Sequence, residues 1–174
     1  MKILIAYAST EGHTEKVAKH IGANLSADDH FVLYHNVRDV SGGLAVSDFD
    51  KAIIAGSVHS AKHQGDLELF VFANREQFAK MPTLFASVSL AAAFPDTRDE
   101  ARGYIDTFQK SASWQPSETV LVAGAVKPGN YDWFEKSALL EGDLAGHVNE
   151  ELAQTREFTD WDALDTTVSD FVKK

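Results

Sequence analysis

Four short apolar runs recur along this chain: Ile3–Ala8, Ala52–Gly56, Thr83–Leu90 and Thr119–Ala125. None alternates polar and apolar residues strictly, which is how strands read when both of their faces are buried. A sheet has both faces covered when helices cross between parallel strands, so the runs predict an α/β chain with a parallel sheet between helical layers. A weaker strand is expected at Phe31–His35, where Phe31, Leu33 and His35 alternate with Val32 and Tyr34. The stretches between the strands have helical spacing. Val17, Ile21 and Leu25 fall four apart. Leu67, Phe70, Val71, Asn74 and Phe78 form one stripe, and Leu164, Val168, Phe171 and Val172 form another. Asp66 and Asp160 are placed as N-caps, and Thr97-Arg98-Asp99-Glu100 has the form of a capping box. The connection from Arg38 to Asp48 contains Gly42 and Gly43 and holds at most a short helix.

One junction breaks this regularity. From Ala125 to Asp160 the chain runs roughly thirty-five residues, where such connections usually take a few. Trp133, Ser137, Leu140 and Leu144 have helical spacing inside it, although Gly142 and Gly146 make a helix from Asp132 to Gly146 marginal. No repeat, low-complexity tract or linker is visible. A single domain over residues 1–174 is expected.

Composition narrows what such a domain can do. The chain has no cysteine, which excludes disulfides, thiolate metal sites, iron–sulfur clusters and a cysteine nucleophile, and no metal site is assigned. A formal charge of −10 argues against nucleic acid as a partner and suits either docking on basic surfaces or simple solubility. Met1-Lys2 leads directly into an apolar run without the pattern of a signal peptide. No apolar stretch approaches the roughly 20 residues that span a bilayer. A cytoplasmic protein without an integral membrane segment is expected.

In an open parallel sheet, ligands collect beyond the carboxyl ends of the strands. The loop after Ala8 is the most informative of these places. Ser9, Thr10 and Thr14 supply hydroxyls, Gly12 permits a tight turn, and a helix begins at once, so backbone N–H groups and a helix dipole face any bound anion. The absence of Lys and Arg within the loop suits a phosphate monoester among neutral donors. From chemistry alone, helix capping by the same hydroxyls stays open. Rival phosphate motifs fail: no Gly-Lys-Ser/Thr occurs, and only Gly12 stands where a dinucleotide fingerprint needs three glycines. A receiver domain needs acidic residues where Ala8-Ser9-Thr10 and Ala55-Gly56-Ser57 stand.

The stretch Tyr7-Ala8-Ser9-Thr10-Glu11-Gly12-His13-Thr14-Glu15 resembles the flavodoxin signature, and the likeness extends over nearly the whole chain. More narrowly, Ile54-Ala55-Gly56-Ser57-Val58-His59 through His63, Met81 to Leu90, Ser113-Trp114-Gln115-Pro116, Val122-Ala123-Gly124-Ala125 and Phe158-Thr159-Asp160-Trp161 resemble the subfamily containing the menaquinone-dependent protoporphyrinogen dehydrogenases. The resemblance implies a flavodoxin-like three-layer sandwich, with a five-stranded parallel sheet of order 2-1-3-4-5 and a long insert between the fifth strand and the last helix. It also implies flavin mononucleotide (FMN) as cofactor, with its phosphate on Ser9, Thr10, Glu11, Gly12, His13 and Thr14. His13 is expected to offer its backbone N–H while its side chain lies on the surface. The isoalloxazine ring would lie between Ser57, Val58, His59, Ser60 and His63 on one side and Ser89, Leu90, Ala91, Ala92, Ala93 and Phe94 on the other. His59 and His63 suit ring contact or proton supply, since imidazole titrates near neutrality; the alternative is a pair of solvated loop residues.

Neither ring loop carries the Trp or Tyr with which many flavodoxins sandwich the flavin, so the electron-carrier pattern is incomplete. Tyr131, Trp133 and Phe134 could wall a substrate pocket. The subfamily's insert is typically basic and aromatic and associated with membrane docking or oligomerisation. Here Glu135, Glu141, Asp143, Glu150 and Glu151 stand against Lys127, Lys136 and Arg156, which argues against membrane attachment. The function implied is an FMN-dependent oxidoreductase passing electrons or hydride to a small acceptor such as a quinone. Protoporphyrinogen dehydrogenase, with Lys62, Lys127 or Arg98 meeting substrate carboxylates, is one alternative. A one-electron carrier that docks on a larger redox partner protein and a flavin-free interaction domain are the others. Self-association stays open, and no catalytic side chain is assigned.

Overall fold

The computed structural model describes residues 1–39, 43–126 and 155–174. Its central sheet is built from β1 (Lys2–Ala8), β2 (Phe31–Asn36), β3 (Lys51–His59), β5 (Thr83–Ser89) and β6 (Glu118–Ala123), all parallel, in the order β2-β1-β3-β5-β6. This is the expected order 2-1-3-4-5 once β4 (Lys62–His63), a short strand antiparallel to β3, is given its own number. A second, two-stranded antiparallel sheet pairs β7 (Ala125–Val126) with β8 (Arg156–Glu157). Ladders of two residues leave no periodic trace in a sequence, and these three strands were not foreseen. β3 also runs past Gly56 to His59, because the hairpin with β4 continues its pairing.

Among the described residues four helices cover the sheet: α1 (His13–Ala27), α2 (Gly65–Phe78), α3 (Arg98–Ser111) and α4 (Trp161–Lys173). Alternate strand residues divide between two cores. Ile3, Ile5 and Tyr7 of β1 pack with Val17, Ile21 and Leu25 of α1 and Leu164, Val168 and Phe171 of α4. Leu4, Ala6 and Ala8 face the other way, toward Leu67, Val71 and Phe78 of α2 and Ile105 and Phe108 of α3. Burying both faces of β1 explains its lack of alternation; β2, at the sheet edge, leaves Phe31 and Tyr34 exposed. Trp114, after α3, fills the second core against Phe78 and Phe85.

The helix starts needed correction in two places. Gln64, not Asp66, is the N-cap of α2, and Asp66 lies within the first turn, where its charge opposes the helix dipole favourably. Thr97 precedes α3 without forming a capping box. Its hydroxyl donates to Ala91 O at 2.7 Å and toward Phe94 O at 3.3 Å, while Glu100 accepts from Tyr104. Asp160 caps α4 as expected, accepting from Ala163 N at 3.0 Å. The connection after β2 ends in one short 3-10 turn, Val46–Asp48. The expected helix from Asp132 to Gly146, the aromatic wall of Tyr131, Trp133 and Phe134, and the acidic insert except Arg156 lie outside the described residues.

Candidate functional site

β1 has β2 on one side and β3 on the other, so consecutive connections leave it in opposite directions and a crevice opens beyond its carboxyl end. The Ser9–Thr14 loop occupies that place. Gly12 is left-handed (φ 81°, ψ −6°), a conformation that costs an L-residue about 1–2 kcal/mol. Gly12 N–H donates to Ser9 Oγ at 3.0 Å, which closes the loop, and α1 starts with the next residue. As a glycine, the N-cap has no side chain with which to cap the helix, so the first-turn N–H groups look to another acceptor. Thr14 is 1% exposed, and its Oγ1 is buried with no hydrogen-bond partner among the described residues. A buried hydroxyl so placed, beside a helix start, has the donor chemistry a phosphate oxygen requires.

Two residues outside the motif brace the loop. Arg38, beyond the end of β2, donates through Nη1 to Ser9 O at 3.3 Å and through Nε to Asp66 at 3.0 Å. Gln64, at the start of α2, donates to Ser57 Oγ and reaches Thr10 Oγ1 at 3.4 Å. No local pattern could have marked either one; they arrive because β2 and β3 flank β1.

His13 corrects an expectation. Its side chain is 7% exposed rather than on the surface, and Nε2 lies 2.8 Å from Thr159 Oγ1. Its Nδ1 is 3.7 Å from Glu157, whose carboxylate accepts from Lys16 Nζ at 2.6 Å and Trp161 Nε1 at 3.0 Å. Burial acts to raise the Glu157 carboxyl, but the hydrogen bonds from Lys16 and Trp161 outweigh it and hold the group below the ordinary carboxylate range.

On the opposite side of the crevice, β3 and β4 form a hairpin that pairs Val58 with His63 and His59 with Lys62. Its two tip residues, Ser60 and Ala61, are left-handed (φ 47° and 62°), the conformation of a tight hairpin turn occupied here by residues other than Gly or Asn. The hairpin brings His59 Nδ1 to 3.7 Å from Glu11 Oε1, joining the hairpin to the Ser9–Thr14 loop across the crevice. His63 points elsewhere. Its ring packs on Phe85 and Phe108 at 5.1 and 5.0 Å, and Nε2 meets Ser87 Oγ at 3.0 Å. Burial pushes its imidazole down to about 4, so at neutral pH it carries no acidic proton of an imidazolium. The two histidines therefore differ, although their place in one loop of the sequence gives both the same expectation.

Beyond β5, Ser89 Oγ accepts from Ala92 N at 3.2 Å and Ala91–Ala93 form a 3-10 turn. Ala91 and Ala92 are buried against Ala101 and Tyr104, leaving backbone, Leu90, Ala93 and Phe94 to face outward contacts. Phe94 meets Phe158 edge to face at 5.3 Å.

The fold agrees with known proteins. A family model described as a flavodoxin domain matches residues 4–140, and the chain belongs to that family. It is 24% identical over 137 residues to the protoporphyrinogen IX dehydrogenase [quinone] of Escherichia coli K12, covering 78% of this chain and 75% of that one. It is 26% identical over 175 residues to the protein of the same name from Leishmania major, covering 98% and 74%. Among solved structures, oxidised flavodoxin 1 from Bacillus cereus superimposes with a TM-score of 0.56 over 99% of this chain and 98% of its own, at 14% identity. Among the described residues no helix is long and apolar enough to cross a membrane.

Proposed function

We propose that this chain is an FMN-dependent oxidoreductase that passes electrons or hydride to a small acceptor of the quinone type. The observation that carries it is the Thr14 hydroxyl, buried and without a protein partner, at a helix start behind a left-handed Gly12 in the crevice beside β1. In this reading Ser9, Thr10, Thr14 and the N–H group of His13 hold the phosphate without any cationic side chain. Glu11 contributes its backbone there and steers His59 through its carboxylate. Ser57, Val58, His59 and Ser60 line one edge of the ring, and Ser89, Leu90, Ala93 and the Phe94 region the other. Bound FMN would supply the redox chemistry; the chain supplies binding, orientation and the polarity around the ring. His59, about a third exposed and next to Glu11, is the side chain placed to hold or move a proton at that edge.

Purified protein should be yellow or take up one equivalent of FMN, and anaerobic reduction should remove the oxidised-flavin absorbance in a single two-electron phase. Colourless protein that gives no signal when titrated with FMN would overturn the proposal. An intermediate one-electron plateau would favour a carrier instead.

Protoporphyrinogen oxidation is the second reading, favoured by the two relatives bearing that activity in their names. Turnover of protoporphyrinogen with a menaquinone analogue tests it. Absence of turnover by FMN-loaded protein would remove that substrate while leaving the flavin reading intact.

A further inference from the structure

His13 and Thr159 stand 146 positions apart and share a 2.8 Å hydrogen bond. The direction of that bond follows from a second one. Thr159 Oγ1 donates its only proton to Ala123 O at 2.7 Å, so toward His13 it can only accept, and His13 Nε2 carries the hydrogen. Ala123 ends β6, whose pairing with β5 makes it a fixed point of the sheet. His13 is the first residue of α1, so fixing its buried ring fixes the rotation of the first helical turn. That turn carries the Thr14 hydroxyl and the N–H groups aimed at the phosphate position.

The neighbouring residue does the same for the other half of the crevice. Phe158 N–H donates to Gly124 O at 3.0 Å, and Gly124 N–H donates to Ser89 O at 3.0 Å. A Cβ on Gly124 would lie 3.3 Å from the Ser89 carbonyl carbon, a tight contact that the glycine avoids. The Phe158 ring then packs edge to face on Phe94. Two consecutive residues thus hold opposite sides of one crevice.

We propose that Phe158 and Thr159 are the positioning residues of the flavin site: Thr159 sets the phosphate loop through His13, and Phe158 sets the ring-side turn through Phe94. This rests on the FMN reading above. Neither residue needs to touch the flavin. The Thr159 interaction is specific to the phosphate half, and the Phe158 interaction to the ring half.

The test compares dissociation constants of the apoprotein for FMN and for riboflavin, which has the same ring and no phosphate. Thr159→Val keeps the side-chain shape but strands the buried His13 donor; it should weaken FMN about tenfold while changing riboflavin by less than about twofold. Thr159→Ser restores the acceptor and should return FMN affinity to within about twofold of the parent. Phe158→Ala should weaken both flavins by the same factor. Should Thr159→Val fail to fold, His13→Leu breaks the same bond from the helix side and must show the same FMN-selective loss. Equal loss of both flavins in Thr159→Val, failure of Thr159→Ser to rescue, or a Phe158→Ala effect confined to FMN would overturn the assignment. Parent protein that binds FMN while every variant matches it would overturn the positioning roles alone. Parent protein that binds neither flavin would overturn the site and this inference with it.

Discussion

The two halves of the crevice are built in opposite ways. The phosphate half is a single segment, Ser9–Thr14, whose shape comes from one left-handed glycine, one internal hydrogen bond and the start of α1. The ring half is assembled from three distant segments: the β3–β4 hairpin, the turn after β5 and Phe158. A site made from one segment depends on backbone conformation. A site made from three depends on the packing that brings them together, so damage to the core should reach the ring half first.

The largest expected effect lies under the ring half and depends on pH. His63 has a folded-state value of about 4 against an ordinary 6.5, so between these limits the unfolded chain binds the additional proton. Stability from this group is complete above about pH 6.5, declines as pH falls and levels off below about pH 4, a total of about 3 kcal/mol. Urea denaturation at pH 7.5 and pH 4.5 should show the loss. His63→Phe keeps a ring on Phe85 and Phe108 without a titrating nitrogen and should flatten that part of the profile. If the slope survives the substitution, the proton is taken up elsewhere.

Next comes Gly56, in β3 beneath the hairpin. A Cβ there would stand 2.4 Å from Leu67 Cδ2 and 3.2 Å from His63 Cδ2, both in packed surroundings. Gly56→Ala should cost about 2 kcal/mol and lower the melting temperature of the apoprotein. Gly22→Ala is the matching control. Its Cβ would meet the tip of the Tyr34 ring at 2.3 Å, but Tyr34 is 42% exposed on the edge strand and can swing out. The smaller loss expected at Gly22 separates true overpacking from a movable neighbour.

Gly12→Val probes the phosphate half. A branched residue at φ 81° costs about 1–2 kcal/mol, so FMN binding should weaken by about tenfold. Fluorescence titration checks this, and parent-like affinity would show that the left-handed turn is dispensable. Asp160→Ala is the smallest change. Loss of the cap on Ala163 N should cost about 1 kcal/mol of stability, with little effect on the flavin-binding ratio defined for Thr159 and Phe158.

These differences also explain what could be read beforehand. Ile3–Ala8 followed by hydroxyls, Gly12 and a helical stripe is a local pattern. Strand burial, left-handed turn and helix start each follow from neighbouring residues. The five long strands and their layers were legible for the same reason. His59 and His63 were not distinguishable by spacing, because a two-residue strand turns one toward Glu11 and the other into the aromatic core. His13 read as a surface residue because the threonine that buries it lies 146 positions away.

The sequence by itself therefore determined the alternation of elements, the parallel sheet and the tight turn and helix start of the Ser9–Thr14 loop, since hydrophobic period, glycine backbone freedom and helix starts act over a few residues. Only the tertiary structure decided what holds that loop. Arg38 reaches Ser9, Gln64 reaches Thr10 and Thr159 reaches His13 because sheet order and register, set by the burial of whole strands, bring far-separated residues within hydrogen-bonding distance.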